Sequence, residues 1–263
     1  MRIRTMGMVA ALAIVAPAAL AQHAQPARRA DPRPNVEPKA DDLLHRMSSE
    51  LAGMKAFSFE TRQVMEVVTR EGEKIQSVVD STAKLQRPNK LRTERRGALG
   101  GGTIYYDGKT LSIYGKRDNL YASAAVPPTL DEAVDFARDK LSIDAPGADL
   151  LHSDAYAVLM EDVVSGRYLG EEPVGDRMCH HLAYRGNETD WQIWIEDGPH
   201  PLPCRFVINS KKETGSPEYQ VDTFHWKAEA GFPADTFTFT PPPDAMQIKF
   251  VTISDIQERQ EKR

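Results

Sequence analysis

The sequence contains few of the residues and motifs that indicate catalysis or metal binding. It has only two cysteines, and CxxC, HxH, HExxH and GxSxG motifs are all absent. The adjacent His180 and His181 lie on a predicted strand, where neighbouring side chains point to opposite faces and do not converge on one ion. We therefore expect no catalytic residue, no cofactor and no metal site. A Ser/His/Asp triad would escape this reasoning, because its members are brought together only by the fold.

Long apolar runs and concentrated charge are also scarce. Apart from residues 7–20, no stretch approaches the roughly 20 apolar residues that a membrane-spanning helix requires. The net charge is −5, and no basic stripe is present that would favour a nucleic acid as partner. We expect a soluble monomer with no transmembrane span in its mature form.

The N-terminus has the pattern of an export signal. Arg2 and Arg4 precede the apolar stretch, and Ala19-Leu20-Ala21 supplies the small-x-small cleavage pattern. Residues 1–21 are therefore predicted to be a signal peptide cleaved near Ala21, and the protein is predicted to be periplasmic. The Pro-, Ala- and Arg-rich residues 22–39 are predicted to be a disordered spacer.

Residues 40–251 are predicted to fold as one domain, followed by a charged tail at residues 252–263. An amphipathic helix is expected from Ala40 to Gly53. Two long segments between Phe57 and Gln86 then alternate apolar and polar residues, and further short strands bring the predicted total to about eleven. Because the two long strands exceed the usual five or six residues, we predict a strongly curved antiparallel sheet that forms an open half-barrel.

A helical insertion at about residues 127–162 interrupts the strands. Thr129 and Glu132 have the spacing of a capping box, and apolar residues at helical spacing follow. A second, shorter helix is expected between Ala148 and Met160. We expect these helices to cover the apolar face of the sheet as a lid.

The central strand pair, Trp191–Ser210, leaves the pairing of the two cysteines open. An oxidising compartment favours a disulfide between Cys179 and Cys204. Strand alternation instead turns only Cys179 outward, and an intervening strand would separate the two Cα atoms by about 9–10 Å, which is too far for a bond. A β-bulge would bring them within reach. The same alternation predicts that Trp191 is buried on the inner face and that Trp194 lies partly open on the outer face.

Large apolar residues on inward faces are more often plain core than ligand lining. A curved sheet covered by helices can nevertheless enclose a cavity. The candidate ligand-lining residues are Phe57, Phe59, Leu151, Tyr156, Trp191, Ile193, Phe206 and Ile208.

Four segments carry a resemblance to a known family: PPTLDEAVDFARDKLSID (127–144), LLHSDAYAVLMEDV (150–163), DWQIWIEDGPHPLPCRFVI (190–208) and FTFTPPPDAMQI (237–248). Together they resemble a bacterial family of predicted exported proteins of undefined function. That family is similar in fold to the periplasmic lipoprotein carriers LolA and LolB. The resemblance implies an α+β fold in which an open antiparallel half-barrel carries an N-terminal helix and an inserted helical lid. No residue of the chain matches the carriers' functional arginine or their membrane-contact loop.

Two functional hypotheses follow. The first is a non-enzymatic periplasmic protein that binds or carries a lipid, an acylated molecule or another hydrophobic ligand between half-barrel and helices. The alternative is a protein-interaction or envelope-sensing module with a solid core, whose partner is an envelope protein. The two differ in whether the space between helices and sheet is empty or filled.

Overall fold

The computed structural model describes residues 35–98, 101–143 and 145–250. The predicted signal peptide and the charged tail lie outside the described residues. In chain order the elements are β1 (Asn35–Val36), α1 (Pro38–Gly53), β2 (Ala56–Val68), β3 (Lys74–Gln86), β4 (Lys90–Gly97), β5 (Gly102–Tyr106), β6 (Thr110–Gly115), β7 (Leu120–Ala125), α2 (Leu130–Leu141), a 3-10 helix (Ala148–Leu151), α3 (Ala155–Met160), β8 (Val163–Val174), β9 (Arg177–Gly186), β10 (Thr189–Glu196), β11 (Pro203–Ser210), β12 (Glu218–Ala228), a second 3-10 helix (Ala234–Phe237) and β13 (Met246–Gln247).

All thirteen strands described belong to one sheet, in the order β1-β8-β9-β10-β11-β12-β2-β3-β4-β5-β6-β7-β13. Strands β2 to β12 pair antiparallel throughout. The two-residue strands β1 and β13 add parallel pairs at the two opposite edges. The sheet is therefore an open antiparallel half-barrel, which confirms the predicted fold class. The predicted number of about eleven strands missed only the two edge strands, because two residues are too few to show an alternation.

Regular structure begins earlier in the chain than the sequence indicated. Asn35 and Val36, assigned to the spacer, pair with Ser165 and Gly166 of β8. Helix α1 starts at Pro38, a residue whose missing N–H costs nothing in the first turn of a helix. Residues 35–39 therefore belong to the folded domain, and the predicted spacer, residues 22–39, extends too far toward the C-terminus.

One half of the sheet is covered by α1 and α3, and the packing there is solid. The apolar stripe of α1 is buried against strands β8 to β12 and consists of Leu43, Leu44, Met47 and Leu51. The hydroxyl of Tyr184 in β9 donates to the carbonyl of Ala40 at 3.0 Å and ties the start of α1 to the sheet. The backbone N–H of Tyr156 in α3 donates to the hydroxyl of Ser48 at 3.0 Å and joins the two helices.

The other half of the sheet is covered by α2. Its cap is the predicted one: the side chain of Thr129 accepts a hydrogen bond from the N–H of Glu132 and donates to that residue's carboxylate. The N–H of Leu130 donates to the carbonyl of Pro88 at 2.9 Å, which fixes the start of α2 against the turn between β3 and β4. The remainder of α2 reaches over β2 to β6.

A bulge in β11 decides the cysteine pairing. The register of β10 and β11 shifts between Trp194 and Ile195, so that Cys204 is an extra residue on the bulged strand. Cys204 thereby joins Cys179 on the outer face, and the two form a disulfide across β10 with their Cα atoms 6.9 Å apart. Alternation alone had placed Cys204 on the inner face, and the bulge is the reason why that placement is wrong.

Trp191 and Trp194 occupy opposite faces, as alternation predicted. Trp191 stacks on Tyr184 in the inner core, with ring centroids 4.0 Å apart. Trp194 is only 7% exposed, so the predicted partly open position is wrong. Its ring stacks on His181 at 3.9 Å and its indole N–H donates to Glu172 of β8, so that side chains of neighbouring strands bury it.

Candidate ligand cavity

A cavity of about 280 Å³ lies between α2, the 3-10 helix Ala148–Leu151 and the inner face of the sheet. The cavity therefore lies beneath residues 130–143 and 145–151, which we call the lid. Under α1 and α3 the side chains interlock in one buried cluster. The cavity belongs to the half of the sheet that α2 covers.

The lid end of the cavity is apolar. Strands β2 to β6 contribute side chains that alternation turns inward, and α2 contributes the small residues on its inner face. This apolar wall consists of Phe59, Ala83, Leu91, Ile104, Tyr106, Leu111, Leu130, Ala133, Val134 and Ala137. Small side chains on α2 leave room that larger ones would fill.

The wall becomes polar one row further along the strands. Thr223, Thr61, Ser81 and Arg95 lie side by side on β12, β2, β3 and β4, because each is the register partner of the next. All four line the cavity. The three hydroxyl residues are buried, and Arg95 is half-buried. We call these four residues the polar row.

Gln63, the next inward residue on β2, connects three members of the polar row. Its amide nitrogen Nε2 donates to Thr61 Oγ1 at 3.2 Å and lies 3.4 Å from Ser81 Oγ. Its carbonyl Oε1 accepts from Arg95 Nη2 at 3.4 Å. Both hydroxyls accept from Gln63, and no acceptor for their own protons is found among the described residues.

Charge in the cavity wall is confined to Arg95, Arg138 and Asp149. Arg138 lies within 3.4 Å of Asp149 and also contacts Asp135 and Asp139. Burial alone would lower the pKa of Arg138, but these carboxylates together raise it. Arg95 forms no ion pair with a carboxylate in the described part of the chain. The cavity therefore has one cation that no described side chain neutralises.

Tyr106 closes the lid end of the cavity. Its hydroxyl donates to the carbonyl of Pro127 at 2.8 Å, just before α2 begins. Burial, followed by the negative charges of Asp107 and Glu132, raises the pKa of Tyr106 to about 12. The phenol is therefore a neutral donor at any physiological pH and holds the lid rather than exchanging protons.

The predicted ligand-lining residues are divided between the two halves of the sheet. Phe59 and Leu151 line the cavity, and Phe57 is fully buried in the cluster around it. The remaining five lie outside the cavity, in or against the solid core under α1 and α3: Tyr156, Trp191, Ile193, Phe206 and Ile208. Sequence patterns identified inward-facing residues but did not indicate which half of the sheet is hollow.

Sequence reasoning missed the polar row and Gln63. A signal was available, since Thr61 and Gln63 follow Phe57 and Phe59 at the same inward parity of β2. Polar residues at inward positions of a sheet are the informative exception to apolar burial. That Thr61, Ser81 and Arg95 share one row depends on the register between strands and could not be read from any single strand.

Elsewhere several titratable side chains form local pairs. On β9, His180 contacts Asp197 at 3.2 Å, and His181 contacts Glu172 at 3.1 Å. No group of three or more His, Cys, Asp or Glu side chains in the described ranges is arranged to hold a metal ion. Likewise, none of the described helices combines the length and the apolar character needed to cross a membrane.

The architecture is thus an open antiparallel half-barrel with a cavity under a helical lid. The chain belongs to a family of predicted periplasmic proteins (DUF2092), whose model matches residues 40–251. This match confirms the resemblance to a family of predicted exported proteins. A comparison with curated proteins found no match.

Solved structures with a similar chain course include LprF from Mycobacterium bovis, at 15% identity and a TM-score of 0.48, covering 75% of this chain and 97% of LprF. Lipoprotein LppX from Mycobacterium tuberculosis is 12% identical with a TM-score of 0.44, covering 74% of this chain and 98% of LppX. A LolA superfamily protein from Nitrosomonas europaea is 11% identical with a TM-score of 0.37, covering 76% of this chain and 97% of that protein.

Proposed function

We propose that this protein is a non-enzymatic periplasmic protein that binds a small hydrophobic ligand, such as one acyl chain, in the cavity beneath the lid. The observation that carries the proposal is the cavity of about 280 Å³ with its apolar wall. An apolar cavity of about 150 Å³ already accommodates a benzene molecule. The periplasmic location rests on the family description and on the predicted signal peptide.

Burial of apolar surface favours an occupied cavity. The apolar wall of the cavity is available to contact a ligand. Removing apolar surface from water stabilises a complex by roughly 25 cal/mol per Å². An alkyl chain in the cavity would gain this stabilisation for the area that it and the wall bury together.

The neutral hydrophobic dye N-phenyl-1-naphthylamine tests the proposal. We expect the purified protein to enhance its fluorescence saturably at one dye per chain. Ala133→Phe adds a ring to the buried face of α2 that lines the cavity and should weaken binding at least tenfold. Lys140→Phe is the matched control, since it adds the same ring at an exposed position of the same helix and should bind as the unaltered protein does.

Native mass spectrometry of protein taken directly from the periplasm provides the second readout. We expect a fraction of the molecules to carry a bound mass that organic extraction removes. Protein that is always recovered empty, together with equal dye binding by the Ala133→Phe variant, would contradict the proposal. That result would favour the interaction or sensing module instead.

A further inference from the structure

The polar row and its surroundings contain more hydrogen-bond donors than acceptors. The hydroxyls of Thr61 and Ser81 accept from Gln63, and their own protons have no described acceptor. Arg95 has five N–H donors, of which one is bonded to Gln63. Thr93, the inward residue beside Arg95 on β4, has a buried hydroxyl oxygen with no hydrogen-bond partner. Unsatisfied buried polar groups are unfavourable unless a further partner is bound.

An added anion at Arg95 would supply acceptors that the described side chains lack. These groups line the same cavity wall, and the register places Ser81 directly beside Arg95. An anion with two or more oxygens suits such a site, since an arginine fork binds a carboxylate or a phosphate with two parallel hydrogen bonds. The positive charge of Arg95 has no described carboxylate to oppose the anion, whereas Arg138 is already surrounded by three carboxylates.

We infer that Arg95, Ser81, Thr61 and Thr93 bind the anionic headgroup of a single-chain amphiphile whose tail occupies the apolar end of the cavity. Gln63 holds Thr61, Ser81 and Arg95 in place through its own hydrogen bonds. The ligand class is a carboxylate or phosphate attached to one alkyl chain. This inference rests on the proposed function, because it assigns chemistry to the two ends of the same cavity. It adds a selectivity for negative charge that an apolar cavity alone would not have.

Displacement of N-phenyl-1-naphthylamine at pH 8 by four C12 probes separates the effect of headgroup charge from that of the alkyl chain. The probes are dodecanoate, dodecyl phosphate, dodecanol and dodecylamine. We expect both anions to bind at least tenfold more tightly than dodecanol, and dodecylamine to bind most weakly. Acetate and inorganic phosphate at the same concentrations serve as free anions. They should neither displace the dye nor protect the protein from thermal unfolding.

Arg95→Gln removes the cation and should abolish the preference for anions while leaving dodecanol affinity within about twofold. Arg95→Lys keeps the charge but loses the fork and should retain part of the preference. Arg96→Gln, a change of the exposed neighbour on the opposite face of β4, is the control and should leave the preference intact. Thr93→Val should reduce dodecanoate binding without lowering the melting temperature of the ligand-free protein, since the hydroxyl has no partner there.

The outcomes distinguish this inference from the proposed function. Equal binding of dodecanoate and dodecanol, or an anion preference that survives Arg95→Gln, would overturn the headgroup site while leaving the apolar cavity in place. Binding of acetate or inorganic phosphate as tightly as dodecanoate would show a site for free anions and would also overturn it. Failure of every C12 probe and of the dye would overturn the proposed function and the headgroup site together.

Discussion

Removal of the disulfide gives a quantitative test of the bulge in β11. The perturbation is the double substitution Cys179→Ala and Cys204→Ala, which deletes the bond without leaving a free thiol. Both cysteines are fully buried in an outer-face cluster with Trp194, Val174 and Val207. The variant therefore tests a contact on which this part of the outer face depends.

The expected magnitude follows from the length of the closed loop. The two residues are 25 positions apart, and cross-linking a loop of that length lowers the entropy of the unfolded chain by an amount equivalent to about 3.5 kcal/mol at 25 °C. With a urea slope near 3 kcal/mol/M, the unfolding midpoint should fall by about 1 M. Such a loss would be a large fraction of a typical domain's stability.

The assay is urea unfolding followed by tryptophan fluorescence, with the unaltered protein measured both oxidised and reduced. Reduction in denaturant should lower the refolding midpoint to about that of the double variant. Under native conditions the buried bond should resist a reductant until the protein opens. A midpoint change below about 0.3 M, or free thiols in the native protein without reductant, would refute the pairing and the bulge that permits it.

Three further predictions concern the two tryptophans, the lid and one carboxylate. Trp191→Ala and Trp194→Ala should each lower the free energy of unfolding by about 3–5 kcal/mol, since both side chains are over 90% buried. Chemical denaturation checks this, and a loss below about 1 kcal/mol at Trp194 would mean that the side chains of His181 and Glu172 do not bury it. Amides of α2 (Leu130–Leu141) should exchange faster than those of β10 (Thr189–Glu196), because the helix covers a cavity; equal protection would argue for a fixed helix. Asp162 accepts hydrogen bonds from the backbone of Glu188, the larger effect, and from Asn187, and these lower its pKa below the ordinary value of 3.8. The stability that it contributes is therefore present above pH 3.8 and lost as the pH falls through the lower folded-state pKa, so that Asp162→Asn should flatten the acid decline in melting temperature; an unchanged decline would contradict this assignment.

Sequence patterns were sufficient to predict the elements whose stabilising contacts lie within a few residues along the chain. The cap of α2 was predictable because Thr129 and Glu132 complete their hydrogen bonds within one turn. The long strands β2 and β3 were predictable because alternation with period two is a property of each strand alone. The resemblance to the exported family then supplied their order as an open half-barrel.

Contacts between distant segments decided the features that matter for function. Five predicted lining residues lie outside the cavity because α1 and α3 fill the space over β8 to β12, whereas α2 presents small residues over β2 to β6. Burial of Trp194 depends on Glu172 of β8, and the cysteine pairing depends on a one-residue shift at Ile195.

The sequence by itself determined most of the helices and strands and, where no bulge intervenes, which residues face inward, since capping and alternation act over a few neighbouring residues. Only the tertiary structure decided where the sheet is hollow and that Thr61, Ser81 and Arg95 share one row of the cavity wall. The physical reason is that the alternation within one strand fixes which face each side chain occupies. The register between two strands depends instead on both strands and on the turn that joins them. A shift of two residues would keep every face and separate Arg95 from Ser81.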